Sequence, residues 1–190
     1  MSKKMAVNKD IVMNLQILGF NAVGISGKDG NILKAQKKLV EGQDAGLIGE
    51  VAEVSPRLIN VLIENDFIPV IAPTGMDENG NTLNINADYA ASAIAGALKA
   101  EKFVFLTDIS GVMRDINDSN SIISDMTVSE AQKLIKDGVI SGGIIPKVDC
   151  CIESVKKGIK AVHILDSRVE HSLLEIFADT CKGTMINRDY

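Results

Sequence analysis

The sequence is poor in the residue types on which several common active sites depend. It has only two histidines in 190 residues, so neither a Ser/His/Asp triad nor a histidine metal cluster can be assembled from it. Its three cysteines are the adjacent Cys150 and Cys151 and the distant Cys181, a spacing that matches no zinc site. Unpaired thiols are typical of a reducing compartment, which predicts a cytoplasmic protein.

Signatures of membranes and nucleic acids are missing as well. No uninterrupted apolar run reaches the ~18 residues that a membrane span needs. The N-terminal Met1-Ser2-Lys3-Lys4 has no apolar core behind it, unlike a signal peptide. The net charge of -5 leaves no evident basic face for nucleic acid. The expected ligand is therefore a small anion that is bound locally.

The chain lacks both the Walker A loop and the G-x-G-x-x-G fingerprint, yet three of its segments suit phosphate. Helix N-termini and glycine loops expose backbone N–H groups that bind anions. The three segments are Asn84-Ile85-Asn86-Ala87-Asp88, Thr107-Asp108-Ile109-Ser110-Gly111-Val112 and Ser141-Gly142-Gly143-Ile144-Ile145-Pro146-Lys147. Together they predict a phosphate-handling site.

The pattern of apolar residues predicts an α/β fold. Short continuous apolar runs, typical of parallel strands covered on both faces, occupy residues 22–26, 68–72, 103–106, 161–165 and 184–187. Helix starts are predicted at Asn8, Ser55-Pro56, Asp88, the capping box Thr127-Val128-Ser129-Glu130, and Pro146. Hairpin turns are predicted at Gly27-Lys28-Asp29-Gly30 and Asn79-Gly80, with an antiparallel strand over 46–54. We expect a three-layer αβα sandwich with a mainly parallel central sheet and a β-hairpin lobe beside it.

Each candidate in the first segment has a structural alternative. Asp88 either orients cationic groups around a transferred phosphoryl or is a plain helix cap. Asn84 and Asn86 either contact a substrate carboxylate or amide, or serve the turn that follows Asn79-Gly80.

The later candidates divide in the same way. Asp108 follows an apolar strand, where α/β sheets bind ligands, or it satisfies backbone N–H groups of its loop. Gly111 allows close approach of a nucleotide or simply permits a turn. Lys147 lies at a predicted helix N-terminus, where the helix dipole disfavours a cation. It either neutralises a bound anion or is a plain solvated lysine. His163 lies in a predicted strand, where a core histidine is the safer interpretation.

Taken together, these segments resemble the amino-acid kinase family, most closely its N-acetylglutamate kinase branch, in a carbamate-kinase-like fold. The resemblance extends over nearly the whole chain. It includes the segments above together with residues 7–12, 24–30, 49–51, 67–73 and 183–186. It implies transfer of the ATP γ-phosphoryl to the side-chain carboxylate of N-acetyl-L-glutamate, in arginine biosynthesis. Alternatives are a non-catalytic ATP- or arginine-binding regulatory module, or a related kinase for another small acid.

The resemblance also implies roles for residues. Lys147 would stabilise charge on the phosphoryl group, Asp88 would hold catalytic lysines, and Asn84 and Asn86 would contact the acceptor. Mg²⁺ would arrive with ATP and bind mainly phosphate oxygens, with no protein ligand assigned. The nucleotide pocket would be lined by Thr107, Asp108, Ser110, Gly111, Val112, Gly142, Gly143 and Ile144. An L-arginine site would include His163, Glu175 and Gly183.

The family motifs that precede these segments are not found in Met1 to Ala6. We therefore expect an N-terminally incomplete single domain, residues 1–190. Residues 1 to about 75 would be the remnant of the acceptor-binding lobe, and about 76–190 the nucleotide-binding lobe. Loss of the first strands of a parallel sheet exposes an edge and an apolar face. The chain is thus expected to form a homo-oligomer or to need a separate N-terminal fragment.

Overall fold

The structure, a computed structural model, describes residues 3–40, 43–177 and 183–189. The chain divides into two compact units, Met1–Leu98 and Lys99–Tyr190. Both alternate helices with strands, and the sheets are rich in parallel pairs, so the predicted α/β class is confirmed. No helix within the described ranges has the length and apolar character required to cross a membrane.

The first unit contains a parallel strand pair and a small barrel. Its elements are α1 (Lys3–Ile17), β1 (Ala22–Ser26), β2 (Leu33–Val40), β3 (Gln43–Val54), α2 (Arg57–Glu64), β4 (Ile68–Ala72), β5 (Thr74–Met76), β6 (Thr82–Ile85) and α3 (Ala87–Ala97). Strands β1 and β4 pair in parallel, with Ala22 opposite Ile68, and both have the predicted bounds. Strands β2, β3, β6 and β5 form a closed barrel.

Helices α1 and α2 cover opposite faces of the β1–β4 pair. Side chains alternate between the two faces along a strand. A Cβ atom on Gly24 would collide with Asn8 and Val12 of α1. The neighbouring Ile25 instead packs against the buried cluster that contains Ile59 of α2. The predicted order of helix, sheet and helix is therefore present within this unit.

The barrel is built from two hairpins. The hairpin predicted at Asn79-Gly80 is confirmed, since β5 and β6 pair antiparallel around it and Gly80 takes a φ of 81°. Strand β3 pairs antiparallel with β2, as expected for residues 46–54. The hairpin turn predicted at Gly27-Lys28-Asp29-Gly30 is wrong, because β1 and β2 belong to different sheets. The link between them is a 3₁₀ turn, Asp29–Asn31, whose Asp29 carboxylate accepts from Ser26 N and Oγ.

Asn8 does not begin a helix as predicted. It lies inside α1, is only 3% exposed, and its Nδ2 donates to the carbonyls of Ile25 (3.2 Å) and Val70 (2.8 Å). A buried amide needs hydrogen-bond partners, and these two carbonyls belong to strands distant in sequence. Asn8 therefore fixes α1 to the strand pair, a role that a local capping pattern does not reveal.

The two units divide after Leu98, later than the expected boundary near residue 75. The reason is that β5 and β6 complete the barrel with β2 and β3. Helix α3 follows directly and contributes Ala90 to the core of the same unit.

The second unit is built on a four-stranded mixed sheet. Its elements are β7 (Lys102–Thr107), β8 (Asp125–Thr127), α4 (Val128–Lys136), α5 (Ile145–Lys156), β9 (Ala161–Asp166) and β10 (Thr184–Asn187). The strand order is β7-β9-β10-β8, with parallel outer pairs and an antiparallel pair of β9 and β10. The predicted capping box is confirmed at the start of α4, and Pro146 lies in the first turn of α5.

Candidate functional site

The second segment of candidates follows the carboxyl end of β7. Thr107 is the last residue of β7 and lies in register with Asp166, the last residue of the parallel strand β9. The backbone N–H of Ser167 donates to Thr107 O at 2.7 Å, which joins the two strand ends. Ligands of α/β sheets bind at such ends, so this edge is suitably placed for a site.

The loop 107–112 is tied to both neighbouring strands. Ser110 Oγ donates to Asp166 Oδ2 at 3.1 Å. The backbone N–H of Val112 donates to Thr184 Oγ1, at the start of β10, at 2.8 Å. The first bond joins residues that are 56 positions apart in the sequence, and the second joins residues that are 72 positions apart. Val112 and Thr184 are both buried. The loop is therefore preformed by tertiary contacts.

Gly111 has a structural reason to be glycine. Its φ is 142°, in the region that favours glycine, and a Cβ atom would lie 2.9 Å from Thr184 Oγ1. The structure therefore gives Gly111 a conformational role, with its missing side chain against β10, and the proposed approach of a nucleotide stays a prediction.

Asp108 is exposed beyond the strand. Its Oδ1 accepts from Thr107 Oγ1 at 3.3 Å. The carboxylate therefore lies at the surface of the loop, where it can face a ligand.

Asp166 and Arg168 were missed by the sequence reasoning. Asp166 is buried and accepts from Arg168 Nε (2.9 Å), Nη2 (2.7 Å) and backbone N (2.9 Å). The Arg168 guanidinium holds the pKa of the Asp166 carboxyl far below its usual range, with a smaller contribution from Ser110. The available signal was an aspartate ending a buried apolar run, with an arginine two residues later.

The glycine-lysine segment enters α5 through a 3₁₀ turn, Gly142–Ile144. Gly142 takes a φ of 69°, and a Cβ on either Gly142 or Gly143 would meet open space. Half-buried Lys147 places its Nζ 5.8 Å from the centroid of the Phe105 ring on β7. The segment thus presents open glycine backbone, and its lysine reaches over the strand that leads to the loop 107–112.

The Asn84–Asp88 segment joins β6 of the barrel to α3. Asn84 is exposed on β6, whereas its neighbours Leu83 and Ile85 are buried. Asn86 is the N-cap of α3, and its Oδ1 accepts from the N–H groups of Asp88 (2.9 Å) and Tyr89 (3.3 Å). The expectation that Asp88 begins the helix as its cap is therefore corrected. Asp88 lies in the first turn, half-buried.

The residues predicted for an arginine site are mostly covered. His163 on β9 is 4% exposed, and both its ring nitrogens lack a hydrogen-bond partner within the described part of the chain. Burial, followed by the charge of Lys102, lowers its pKa, against a smaller raising effect of Asp125. A Cβ on Gly183 would collide with Ile164 O. Glu175 belongs to the 3₁₀ stretch Ser172–Phe177, and its side chain lies outside what the structure describes, as does Cys181.

Two surface cavities lie away from the candidates. One, of about 900 Å³, opens on the barrel of the first unit, and the other, of about 400 Å³, lies beside β8 and α4. No predicted site residue lines either one. Among residues 3–40, 43–177 and 183–189, no three His, Cys, Asp or Glu side chains converge as a metal site.

Parallel-rich sheets with polar residues after a strand end define an α/β fold of the kind that binds ligands at this edge. The model of the amino acid kinase family matches residues 1–166, and the chain belongs to that family.

Three comparisons describe its similarity to known proteins. The acetylglutamate kinase of Caldanaerobacter subterraneus subsp. tengcongensis is 50% identical over 184 residues, which are 96% of this chain and 61% of that protein. The crystal structure of smu.665 from Streptococcus mutans UA159 has a TM-score of 0.78 and 29% identity, covering 97% of this chain and 68% of that one. The structure of Giardia lamblia carbamate kinase bound to AMP-PNP has a TM-score of 0.67 and covers 98% of this chain and 73% of its own. Because the two sequences are only 19% identical, this similarity is evidence for the fold and not for the function. The chain thus spans about 61% of the length of the first relative.

Proposed function

We propose that this chain takes part in ATP-dependent phosphorylation of the side-chain carboxylate of N-acetyl-L-glutamate, a step of arginine biosynthesis. The observation that carries the proposal is its 50% identity to an acetylglutamate kinase over 96% of its residues. The arrangement of the second unit supports it, because a preformed loop follows β7 and Lys147 Nζ lies 5.8 Å from the Phe105 ring of the same strand.

The chemistry requires no general base. A free glutamate-type carboxyl has a pKa of about 4.3, so at neutral pH it is already a nucleophile. One carboxylate oxygen forms a bond to the γ-phosphorus while the bond from that phosphorus to the β,γ-bridging oxygen breaks. The products are an acyl phosphate and ADP. What the protein must supply is positioning and positive charge.

We assign nucleotide binding to the second unit. The loop of Thr107, Asp108, Ser110, Gly111 and Val112 would hold the nucleoside part. The open backbone N–H groups of Gly142, Gly143 and Ile144 would donate to phosphate oxygens, as those of helix N-termini do. Lys147, at the first turn of α5, would stabilise negative charge on the transferring phosphoryl group.

We assign the acceptor to the first unit. Exposed Asn84 would contact the acetylated amino acid, and Asn86 would contribute its amide while its Oδ1 caps α3. Asp88 would orient cationic groups. The two functional lobes would then correspond to the two compact units, with a boundary near Leu98 rather than near residue 75.

ATP would bring Mg²⁺, held mainly by its phosphate oxygens. Mg²⁺ keeps several water ligands and commonly takes only one or two carboxylates together with substrate phosphates. The metal would neutralise phosphate charge, while the residues of this chain orient the nucleotide.

The test is trapping of acyl phosphate with hydroxylamine, using purified chain, Mg²⁺-ATP and either N-acetylglutamate or glutamate. Lys147→Ala should reduce turnover by about 10²-fold or more, because removal of one preorganised charge contact has effects of this size. Lys157→Ala is the matched control, since Lys157 is exposed at the opposite end of the same helix.

Turnover that is specific for the acetylated acid and lost only in Lys147→Ala would support the proposal. Binding of ATP without turnover would contradict catalysis by this chain alone and would favour a nucleotide-binding regulatory module. Turnover with another acid alone would indicate a related kinase.

We also propose self-association through α1. Its exposed apolar side chains include Val7 (53% exposed) and Ile11 (45%), which are four residues apart along the helix, and exposed Leu18 (71%) lies in the turn directly after it. Exposed apolar patches of this kind mark interaction sites. Light scattering should report a dimer or larger species, and Leu18→Glu should shift it towards monomer. A monomeric wild-type chain would contradict this proposal.

L-arginine remains a proposed effector. His163 is buried within β9, and Gly183 is buried directly before β10, so any arginine contact would involve the surface above them rather than the imidazole itself. Calorimetric titration with L-arginine, with L-lysine as the control, tests the proposal. Absence of arginine-specific heat would contradict it.

A further inference from the structure

We propose that Arg168 is a further nucleotide-binding residue, which presents its guanidinium to the phosphate groups while Asp166 holds it in place. The inference rests on the proposed nucleotide site at the carboxyl edge of β7 and β9. It adds to that site a cation that lies outside the three segments indicated by the sequence.

The geometry fixes the guanidinium in one orientation. Nε and Nη2 of Arg168 donate to the two carboxylate oxygens of Asp166 at 2.9 and 2.7 Å. Its own backbone N–H donates to the same carboxylate at 2.9 Å. A planar fork held at two points loses little further freedom when it binds a ligand. Arg168 is therefore preorganised.

Exposure differs sharply between the two partners. The side chain of Asp166 is 9% exposed and that of Arg168 is 63% exposed. A salt bridge that only joins two surface groups contributes little to stability. In this pair the carboxylate is buried at the strand end and the guanidinium extends into solvent. Arginine in such a position has N–H donors that match phosphate oxygens.

Arg168 offsets acidic side chains at these strand ends that disfavour an anionic ligand. Asp108 and Asp166 both lie at this edge, and their carboxylates would repel a triphosphate. Asp166 is the main cause, and Asp108 a minor one, of the raised pKa of Arg168, so the guanidinium is charged throughout the physiological range. Its charge offsets one of the two carboxylates beside the loop 107–112.

Titration calorimetry with ATP, AMP and adenosine tests the assignment, using wild type, Arg168→Gln and Arg168→Lys. Loss of a charge-assisted contact to phosphate should weaken ATP binding by about tenfold to a hundredfold. AMP should be affected less, and adenosine least. Arg168→Lys keeps the charge but loses the fork, so an intermediate affinity for ATP is expected.

Arg188→Gln is the matched control. Arg188 is exposed and follows β10, which runs antiparallel to β9 with Asn187 opposite Ala161. It therefore lies at the opposite edge of the same sheet, and its replacement should leave the affinity for all three ligands unchanged.

The outcomes separate the two proposals. Equal weakening of ATP, AMP and adenosine by Arg168→Gln would mean a structural role and would overturn the inference, as would no change for ATP. An equal effect of Arg188→Gln on ATP would also overturn it. If the wild-type chain binds none of the three ligands, the proposed nucleotide site itself fails, and the inference fails with it.

Discussion

In the first unit the candidate residues follow one another along the chain, whereas in the second they are brought together by long-range bonds. Asn86 caps α3 by accepting from residues two and three positions ahead. In the second unit, Ser110 bonds to Asp166 and Val112 bonds to Thr184. Local bonds of the first kind form wherever the helix forms. Those of the second kind require the sheet of β7, β9 and β10 to be complete.

This difference predicts how far the effect of a substitution extends in each unit. A substitution in the Asn84–Asp88 segment should alter the stability of α3 alone. A change in the loop 107–112 or in the strand ends beneath it should affect both the folding of the second unit and nucleotide binding. Four substitutions or conditions test this comparison.

The largest effect is expected from Gly111→Ala. Alanine is disfavoured at a φ of 142°, and its Cβ would lie 2.9 Å from Thr184 Oγ1. Backbone strain and overpacking together should lower the free energy of unfolding by about 2 to 4 kcal/mol. The free energy of unfolding is measured by urea denaturation, with circular dichroism as the signal. Gly143→Ala is the control, because open space surrounds that position, and a similar loss there would contradict the prediction.

Thr184→Val should have the next largest effect. It keeps the side-chain shape but removes the oxygen that accepts from the buried Val112 N–H. An unsatisfied buried donor costs about 1 to 3 kcal/mol, and the affinity for ATP should fall as the loop loses its anchor. Thr184→Ser keeps the acceptor oxygen and should therefore retain more of the stability and more of the affinity for ATP. Equal behaviour of the two variants in urea denaturation and ATP titration would argue against the anchoring role.

Acid should destabilise the second unit through His163. Its folded-state pKa is lowered from 6.5 by burial, so below that value the unfolded chain binds more protons. Stability present above pH 6.5 is then lost as the pH falls towards the folded pKa, by at most about 1.4 kcal/mol per pH unit. Lys102 on β7 adds to this effect and Asp125 on β8 opposes it. Denaturation of His163→Leu should show a weaker pH dependence just below pH 6.5, and an unchanged slope would refute the assignment.

The smallest effect is expected in the first unit. Asn86→Ala removes the N-cap of α3 and should cost about 1 kcal/mol. Asn86→Asp keeps an acceptor at the same place and should be nearly neutral. Because the cap is local, ATP affinity should be unchanged in both variants. A marked loss of ATP binding in Asn86→Ala would break the distinction between the two units.

The same distinction explains how far the sequence could predict the molecule. Apolar runs predicted the bounds of β1, β4 and β10 correctly, and the Thr127 capping box was confirmed, since both signals lie within a few residues. Asn8 was assigned wrongly because its partners are 17 and 62 positions away. The turn at residues 27–30 was assigned wrongly because a turn motif does not say which sheet receives the next strand.

Within the site, local sequence patterns indicated the loop 107–112 and the Gly142–Lys147 segment. They did not indicate the residues at the end of β9 that contact the loop. Asp166 and Arg168 carry no motif, and their importance depends on Ser110 lying above the end of β9. The role of Gly111 likewise becomes visible only when Thr184 is placed beside it. The sequence therefore indicated Ser110 and Val112 as candidates but not the distant partners, Asp166 and Thr184, that hold them.

The most direct test of the account is the mapping of backbone amide shifts by NMR while Mg²⁺ and a non-hydrolysable ATP analogue are added. We predict the largest shifts in residues 107–112 and 142–147, with Arg168 also affected. Subsequent addition of N-acetylglutamate should then shift residues 84–88. Shifts concentrated around the barrel cavity, or absent from both second-unit segments at saturating nucleotide, would contradict the assignment of the nucleotide to this edge of the second unit.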